Sequence, residues 1–364
     1  MARIEFGSGI NIKHSETFVR RMAELAHADE PVVVDFANTQ HVDPGAAWRV
    51  GNALQHIHPP TRLSAELGDR EIGEGRWFLV FDRSLLGLYL SKRAGVIRSG
   101  RRDITAALEE YYRRQDFCSK NLVGVAGIHK EGSGLNLDSF DSFVRNVRSV
   151  AEAVQLSGEL FDAQSGRDLA RLCFEGAQNA FDHSAKQPLP VERRPVTSYC
   201  MLRYFAELGT VKYVGDLQGF LKRTRQLRRQ GKVGKGYVEA LVVDDGAGLA
   251  ARHVQDNNVY ASIEEEVRVT ERALNPGESV KWEVSDSTVR GDPGFGFTWI
   301  ADCLEKLSGY GVLRTGRVTV VFDGTMDDAS WDLLEPGGKL PGTVLSILIP
   351  RPTAQRSLWE SGEE

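Results

Sequence analysis

The chain has 364 residues, 41% hydrophobic and 26% charged, the proportions of an ordinary globular protein long enough for two separately cored domains. Its 45 Lys and Arg against 50 Asp and Glu leave a formal net charge of −5, which excludes a bulk attraction to nucleic acid or anionic membrane; either would need a local patch. Four cysteines (Cys118, Cys173, Cys200, Cys303) without a C-x-x-C pair argue against a disulfide framework or zinc ribbon and for a reducing compartment.

The opening "MARIEFGSGINIKHSETF" has no apolar core of signal-peptide length, and no apolar run approaches the ~20 residues that cross a bilayer. A cytoplasmic protein without a membrane partner is expected. Val32 to Phe36 reads as a buried strand, and after a turn Ala46, Ala47, Val50 and Leu54 fall at helical spacing. "RWFLVF" (76–81) reads as a second strand, followed by the helical "SLLGLYLSKRAG". This alternation predicts a small α/β domain over 1–115. An apolar strand ending in Asp that turns into a helix resembles the STAS domain of anti-sigma-factor antagonists. Family members often carry a phosphorylated hydroxyl in that turn. "HVDPGAAW" has Gly45, Ala46 and Ala47 there, so docking or dimerisation is the expected role, beside that of a generic α/β domain.

Further along, Phe140, Val144, Val147 and Val150 repeat at helical spacing, and a second helix is predicted from Gly166 to about Ser184. Strand-like segments follow at 196–205 and 237–249, then a polar, strand-poor region to about 293. "GDPGFGFTWIADCLEKLSG" reads as a loop entering a helix near Thr298. "RVTVVFDG" and "GTVLSILIP" read as the last two strands, with Val344, Ser346 and Leu348 alternating against Leu345, Ile347 and Ile349. The second domain spans 116–352, and 353–364 is a frayed tail.

The segment "FEGAQNAFDHSA" (174–185) places unusual side chains on a helix. At 100° per residue from Glu175, Asn179 falls at about 40°, Asp182 at about −20° and His183 at about 80°, one polar stripe opposite Cys173, Phe174, Ala177, Ala180 and Phe181. Two acids, an amide oxygen and an imidazole can bind a hard cation and orient a water; they can equally be solvated side chains.

Three more pieces follow in order. "VVDDGAGL" puts Asp244 at a strand end ahead of Gly246 and Gly248, where a carboxylate can accept from an exocyclic amine and glycine lets a flat ring approach. An ordinary Asp-Gly turn has the same sequence. "GDPGFGF" sets Gly291, Gly294, Phe295 and Gly296 before a helix, whose N-terminal N–H groups suit phosphates. "GT" (Gly342, Thr343) opens the last strand, with a hydroxyl able to reach back toward Asp244.

E-x-x-x-N-A-x-D-H, D-x-G-x-G, G-x-G and G-T in this order resemble the GHKL ATPase superfamily (gyrase, MutL, the large heat-shock ATPase chaperones, histidine kinases and anti-sigma-factor serine kinases) over about residues 135–350. The resemblance implies ATP and Mg²⁺ as cofactors. It makes Glu175 the base that polarises the attacking water and Asn179 the magnesium ligand. Asp244 reads the adenine amine above Gly246 and Gly248, and Thr343 holds the adenine-side water. Gly291, Gly294, Phe295 and Gly296 form the phosphate loop. Asp182 and His183 match positions held by an acid in gyrase-like members and by His in histidine kinases. Residues 250–293, with "NPGES", become a mobile lid over ATP.

The fold implied is α+β: a two-layer sandwich with a mixed sheet covered by helices on one face, preceded by the small α/β domain. The chain departs from the family in a long segment before the adenine strand. It has no phosphoacceptor box, His129 lacking that context, and no following domain to bring a lysine; Lys339 and Arg290 are candidate phosphate cations or solvated side chains. Seven cations between Lys222 and Lys235 read as a solvated insertion or a footprint for nucleic acid or an acidic partner. An ATPase or nucleotide-driven switch acting on a protein partner or a second copy is expected. A serine/threonine kinase of the anti-sigma type and a non-hydrolysing nucleotide module are the alternatives.

Overall fold

A computed structural model describes residues 1–72, 77, 80–81, 84, 86–114, 123–125, 128–131, 134–137, 139–153, 163–184, 199–205, 216–244, 248–249, 262–275 and 296–352. The expected break near residue 115 and the tail 353–364 lie outside them. The chain is a mixed α/β protein of the α+β kind; its described residues form a five-stranded, largely parallel sheet, a seven-stranded antiparallel sheet and two two-stranded ones.

The first part contains β1 (Ala2–Glu5), β2 (Gly9–Ile10), α1 (Ile12–Leu25), β3 (Val32–Asp35), β4 (His41–Val42), α2 (Pro44–Ala53), β5 (Leu63–Glu66), α3 (Leu86–Arg93), β6 (Val96–Ser99), β7 (Arg102–Asp103) and α4 (Thr105–Arg114). β1, β3, β5 and β6 run parallel in that order, closed by antiparallel β7. Caps set the helix starts: Asn11 accepts from the His14 N–H, and Asp43 accepts from the Gly45 N–H ahead of Pro44 at the first turn of α2. The described residues of "RWFLVF", Trp77, Val80 and Phe81, are helical and buried, which corrects the strand expected there. A continuous apolar run fits a buried helix as well as a buried strand, and the strand is instead the half-polar "LSAE" of β5.

The second part contains β8 (Val123–Val125), β9 (Ile128–Glu131), β10 (Gly134–Leu137), α5 (Phe140–Ala153), α6 (Ala163–Ser184), β11 (Tyr199–Phe205), α7 (Leu217–Arg229), β12 (Val233–Asp244), α8 (Ile263–Leu274), α9 (Gly296–Lys306), β13 (Tyr310–Gly316), β14 (Val318–Asp323), β15 (Trp331–Leu333) and β16 (Leu340–Pro352). Seven strands form a sheet in the order β15-β14-β13-β16-β12-β11-β8. Every pairing in it is antiparallel, so the mixed sheet expected here is replaced by an antiparallel one.

Both faces of this sheet are covered, not one. Leu345, Ile347 and Ile349 of β16 enter a core with Phe143 of α5, Leu169 and Cys173 of α6, and Ile300 and Leu304 of α9. Val344 on the opposite face shares a core with Phe36, Ala47, Trp48 and Val50, together with Met201, Leu241 and Val243 of the sheet. Leu348, also on that side, packs with Phe220 and Leu221 of α7 and with Ile12 of α1. Both registers of β16 are therefore apolar because both sides are dry. The turn at 43–45 is part of this junction: a Cβ on Gly45 would sit 3.3 Å from Ser346 Oγ. Asp43 and Ala46 are buried, so the turn docks within the chain.

Gly51 on α2 marks another close approach. A Cβ there would lie 2.2 Å from Cγ of the buried Tyr89 ring on α3. Ala favours a helix interior over Gly by up to ~1 kcal/mol, but overpacking costs roughly 1–3 kcal/mol and here meets the base of a ring, not a flexible tip. Gly51→Ala is expected to lower the denaturant midpoint; an unchanged or raised midpoint would show that α2 and α3 can separate without cost.

Candidate functional site

The site expected from the sequence needs α6, the end of β12, the start of α9 and the start of β16 in one region. α6 lies directly on β12, because a Cβ on Gly176 would come within 3.1 Å of both Val242 methyl groups, two residues before Asp244. Cys173 and Ala177 are buried beneath the helix, as the periodicity predicted. Glu175 stands beside this contact with its side chain 12% exposed, and its Oε1 accepts from Arg171 Nε one turn earlier at 2.8 Å. The Arg171 guanidinium lies 4.7 Å from the ring centre of Trp299 in the first turn of α9. Asn179, Asp182 and His183 continue along α6, but their side chains lie outside the described residues.

The end of β12 carries the second group. Asp244, 9% exposed, pairs across the sheet with Thr343, and Thr343 pairs with Thr315 of β13. Thr315 Oγ1 accepts from the Leu249 N–H at 2.7 Å and lies 3.4 Å from Thr343 Oγ1. Gly248 has φ +93, and a Cβ on it would stand 3.1 Å from Thr315 Oγ1, so this glycine packs where the end of β13 meets the start of β16. Gly342, also at positive φ, is the third residue of β16, next to the register shift in its pairing with β13. Asp244, Gly248 and Thr343 are thus brought together. Gly246, Gly291, Gly294 and Phe295 lie outside the described residues, and Gly296 is the first residue of α9.

Sequence reading missed three neighbours of this corner. Thr315 is one; its hydroxyl joins the two strand ends. Trp48 of α2 is another, donating its indole N–H to the Asp244 carbonyl at 3.2 Å. The third is a buried charge cluster next to Thr315. Glu16 of α1 accepts from Arg49 Nε at 3.0 Å and from Arg314 Nε at 3.1 Å, and both arginine side chains are fully buried. Arg314 also donates to the carbonyls of Gly316 and Gly338, and Arg49 to that of Gly45. Burial pushes the Glu16 carboxyl up, but the two guanidinium groups outweigh it and hold it below its ordinary value. No single-sequence signal marks these contacts, which join residues far apart along the chain.

The region read as a mobile lid contains α8, which is docked. Ser262 caps it by accepting from the Glu265 N–H at 3.2 Å. Its buried Glu266 accepts from the Arg317 N–H at 2.6 Å and would collide with a Cβ on Gly316. Residues 250–261 and 276–293 lie outside the described residues, as does Arg290. Lys339 precedes β16, and its carbonyl accepts from His56 Nε2 at 2.8 Å.

On α7, Arg223 is engaged with Asp323 and Thr325, while Lys222, Arg225 and Arg229 are exposed, as are Lys232 after the helix and Lys235 on β12. Cys173 and Cys303 are buried free thiols, and burial pushes Cys303 up to about 12, far from a nucleophile. Among the described residues no group of three or more His, Cys, Asp or Glu could hold a metal ion, and no helix is long and apolar enough to cross a membrane. A scan against protein-family models matches none, and comparison with curated proteins gives no match.

Proposed function

We propose that the chain binds ATP with Mg²⁺ in a GHKL-type site and works as an ATPase or nucleotide-driven switch on a protein partner. The observation that carries this reading is the corner where Asp244, Gly248 and Thr343 meet at one end of the sheet, with α6 seated on the same strand two residues away. A carboxylate at that strand end accepts from the adenine amine, and a glycine at positive φ leaves room for a flat base. Thr343 and Thr315 offer hydroxyls to a water beside the ring. Glu175 holds a water through its carboxylate, and the side-chain oxygen of Asn179 would hold Mg²⁺ one turn further along α6. The metal would supply charge neutralisation at the phosphates.

The serine/threonine kinase alternative acts on a separate partner protein; in this chain Gly45, Ala46 and Ala47 at the start of α2 carry no hydroxyl and are buried. Phosphate transfer would have to go to a separate protein. The test is titration of the full chain with ATP, ADP and GTP, with and without Mg²⁺, by calorimetry, alongside release of inorganic phosphate. Binding of the adenine nucleotides with exclusion of GTP, which presents a carbonyl instead of the amine, is expected. No heat with ATP or ADP would sink the reading.

A further inference from the structure

We infer that Arg171 is the cation for the terminal phosphate of the nucleoside triphosphate, leaving Glu175 for that phosphate when the triphosphate binds. This rests on the nucleotide-site reading and goes beyond it, since the four motifs themselves assign no cation. Arg171 sits between the two elements that matter: its Nε is 2.8 Å from Glu175 on its own helix, and its guanidinium is 4.7 Å from Trp299, three residues after Gly296 begins α9. Trp299 is 42% exposed, and the arginine covers part of its ring. The contact holds the guanidinium over a ring of the first turn of α9, and the N–H groups of a helix start suit an anion.

The exchange is driven from the phosphate side. The Arg171 side chain is 42% exposed and that of Glu175 12%, so the arginine is the partner placed to move. A guanidinium facing a phosphate makes two parallel charge-assisted hydrogen bonds instead of one. A triphosphate reaching the start of α9 therefore draws Arg171 over. The Glu175 carboxylate, no longer bonded to Arg171, then holds the attacking water. A diphosphate ends too early to trigger the exchange. Arg171 thereby couples recognition of the third phosphate to the readiness of the acid.

The experiment compares ATP and ADP affinities, in Mg²⁺, for the wild type, Arg171→Ala, Arg171→Lys and Trp299→Leu. Arg171→Ala is expected to weaken ATP by about ten- to a hundredfold while changing ADP less than about twofold. Arg171→Lys keeps the charge without the fork and should recover part of the loss, and Trp299→Leu should give a smaller loss confined to ATP. A merely structural pair would lower thermal stability and leave the ATP-to-ADP ratio at its wild-type value, which overturns the inference. Faster turnover with unaltered ATP affinity in Arg171→Ala also overturns it, because the arginine would then only restrain Glu175. Wild-type protein that binds neither nucleotide defeats the underlying site reading instead. Retained ADP affinity certifies folding of each variant.

Discussion

Asp244→Asn is expected to weaken ATP binding by about a hundredfold, whereas Glu175→Gln should bind ATP normally and lose turnover by a factor of about 10² to 10⁴. The two carboxylates sit at different places and do different work. Asp244 ends β12 and faces the corner closed by Thr343, Thr315 and Gly248. An amide there offers a donor to the adenine amine on one rotamer and a weaker acceptor on the other, and the charge is gone in both. Glu175 lies on α6, which packs on that strand, and is paired with Arg171. Gln keeps its shape and cannot take a proton. Calorimetry and phosphate release on both variants check the split. Glu175→Gln turning over at the wild-type rate would remove Glu175 from the mechanism, and tight ATP binding by Asp244→Asn would move the base elsewhere.

The second large effect concerns the buried charges between α1, α2 and β13. Glu16→Ala is expected to destabilise the fold by about 3–5 kcal/mol, because it leaves Arg49 and Arg314 side by side without their shared anion. Replacing all three by apolar residues of similar volume should cost far less, since no unpaired charge remains. The pH dependence has a definite sign. Glu16 is held below its ordinary value in the fold, so the stability it contributes is complete above the ordinary carboxylate range and fades as pH falls through the lower folded value. In Glu16→Gln this part of the acid dependence should vanish. Denaturant melts across pH 3 to 7 measure it; parallel wild-type and Glu16→Gln curves would show that the carboxylate is not the group protecting the junction.

Sequence periodicity located the elements with long, one-sided or doubly apolar patterns. β3, α2, α6, β12 and β16 all fall where their residues placed them. "RWFLVF" failed because apolar continuity carries no period. β13 went unread because "YGVLRTG" mixes glycine, a cation and a hydroxyl, yet every one of those residues is buried. α8 left a signal that could have been used: Ser262 three residues before Glu265 is an N-terminal capping pattern, followed here by three acids in the first turn. The double burial of β16 was also visible, since both alternating sets are apolar apart from Ser346. At the site, the strand-end pieces were legible as a set because each has its own local pattern. Arg171 over Trp299, Trp48 on Asp244 and Thr315 on Leu249 were not, because each contact is set by tertiary packing and not by a local pattern.

The indole of Trp48 reaching the Asp244 carbonyl has a mechanical consequence. The same peptide unit whose side chain would greet a base is tethered through its oxygen to the front third of the molecule, inside a continuous apolar seam. The end of β12 is thereby fixed to α2 by a hydrogen bond as well as by packing, and the first hundred or so residues back the strand directly.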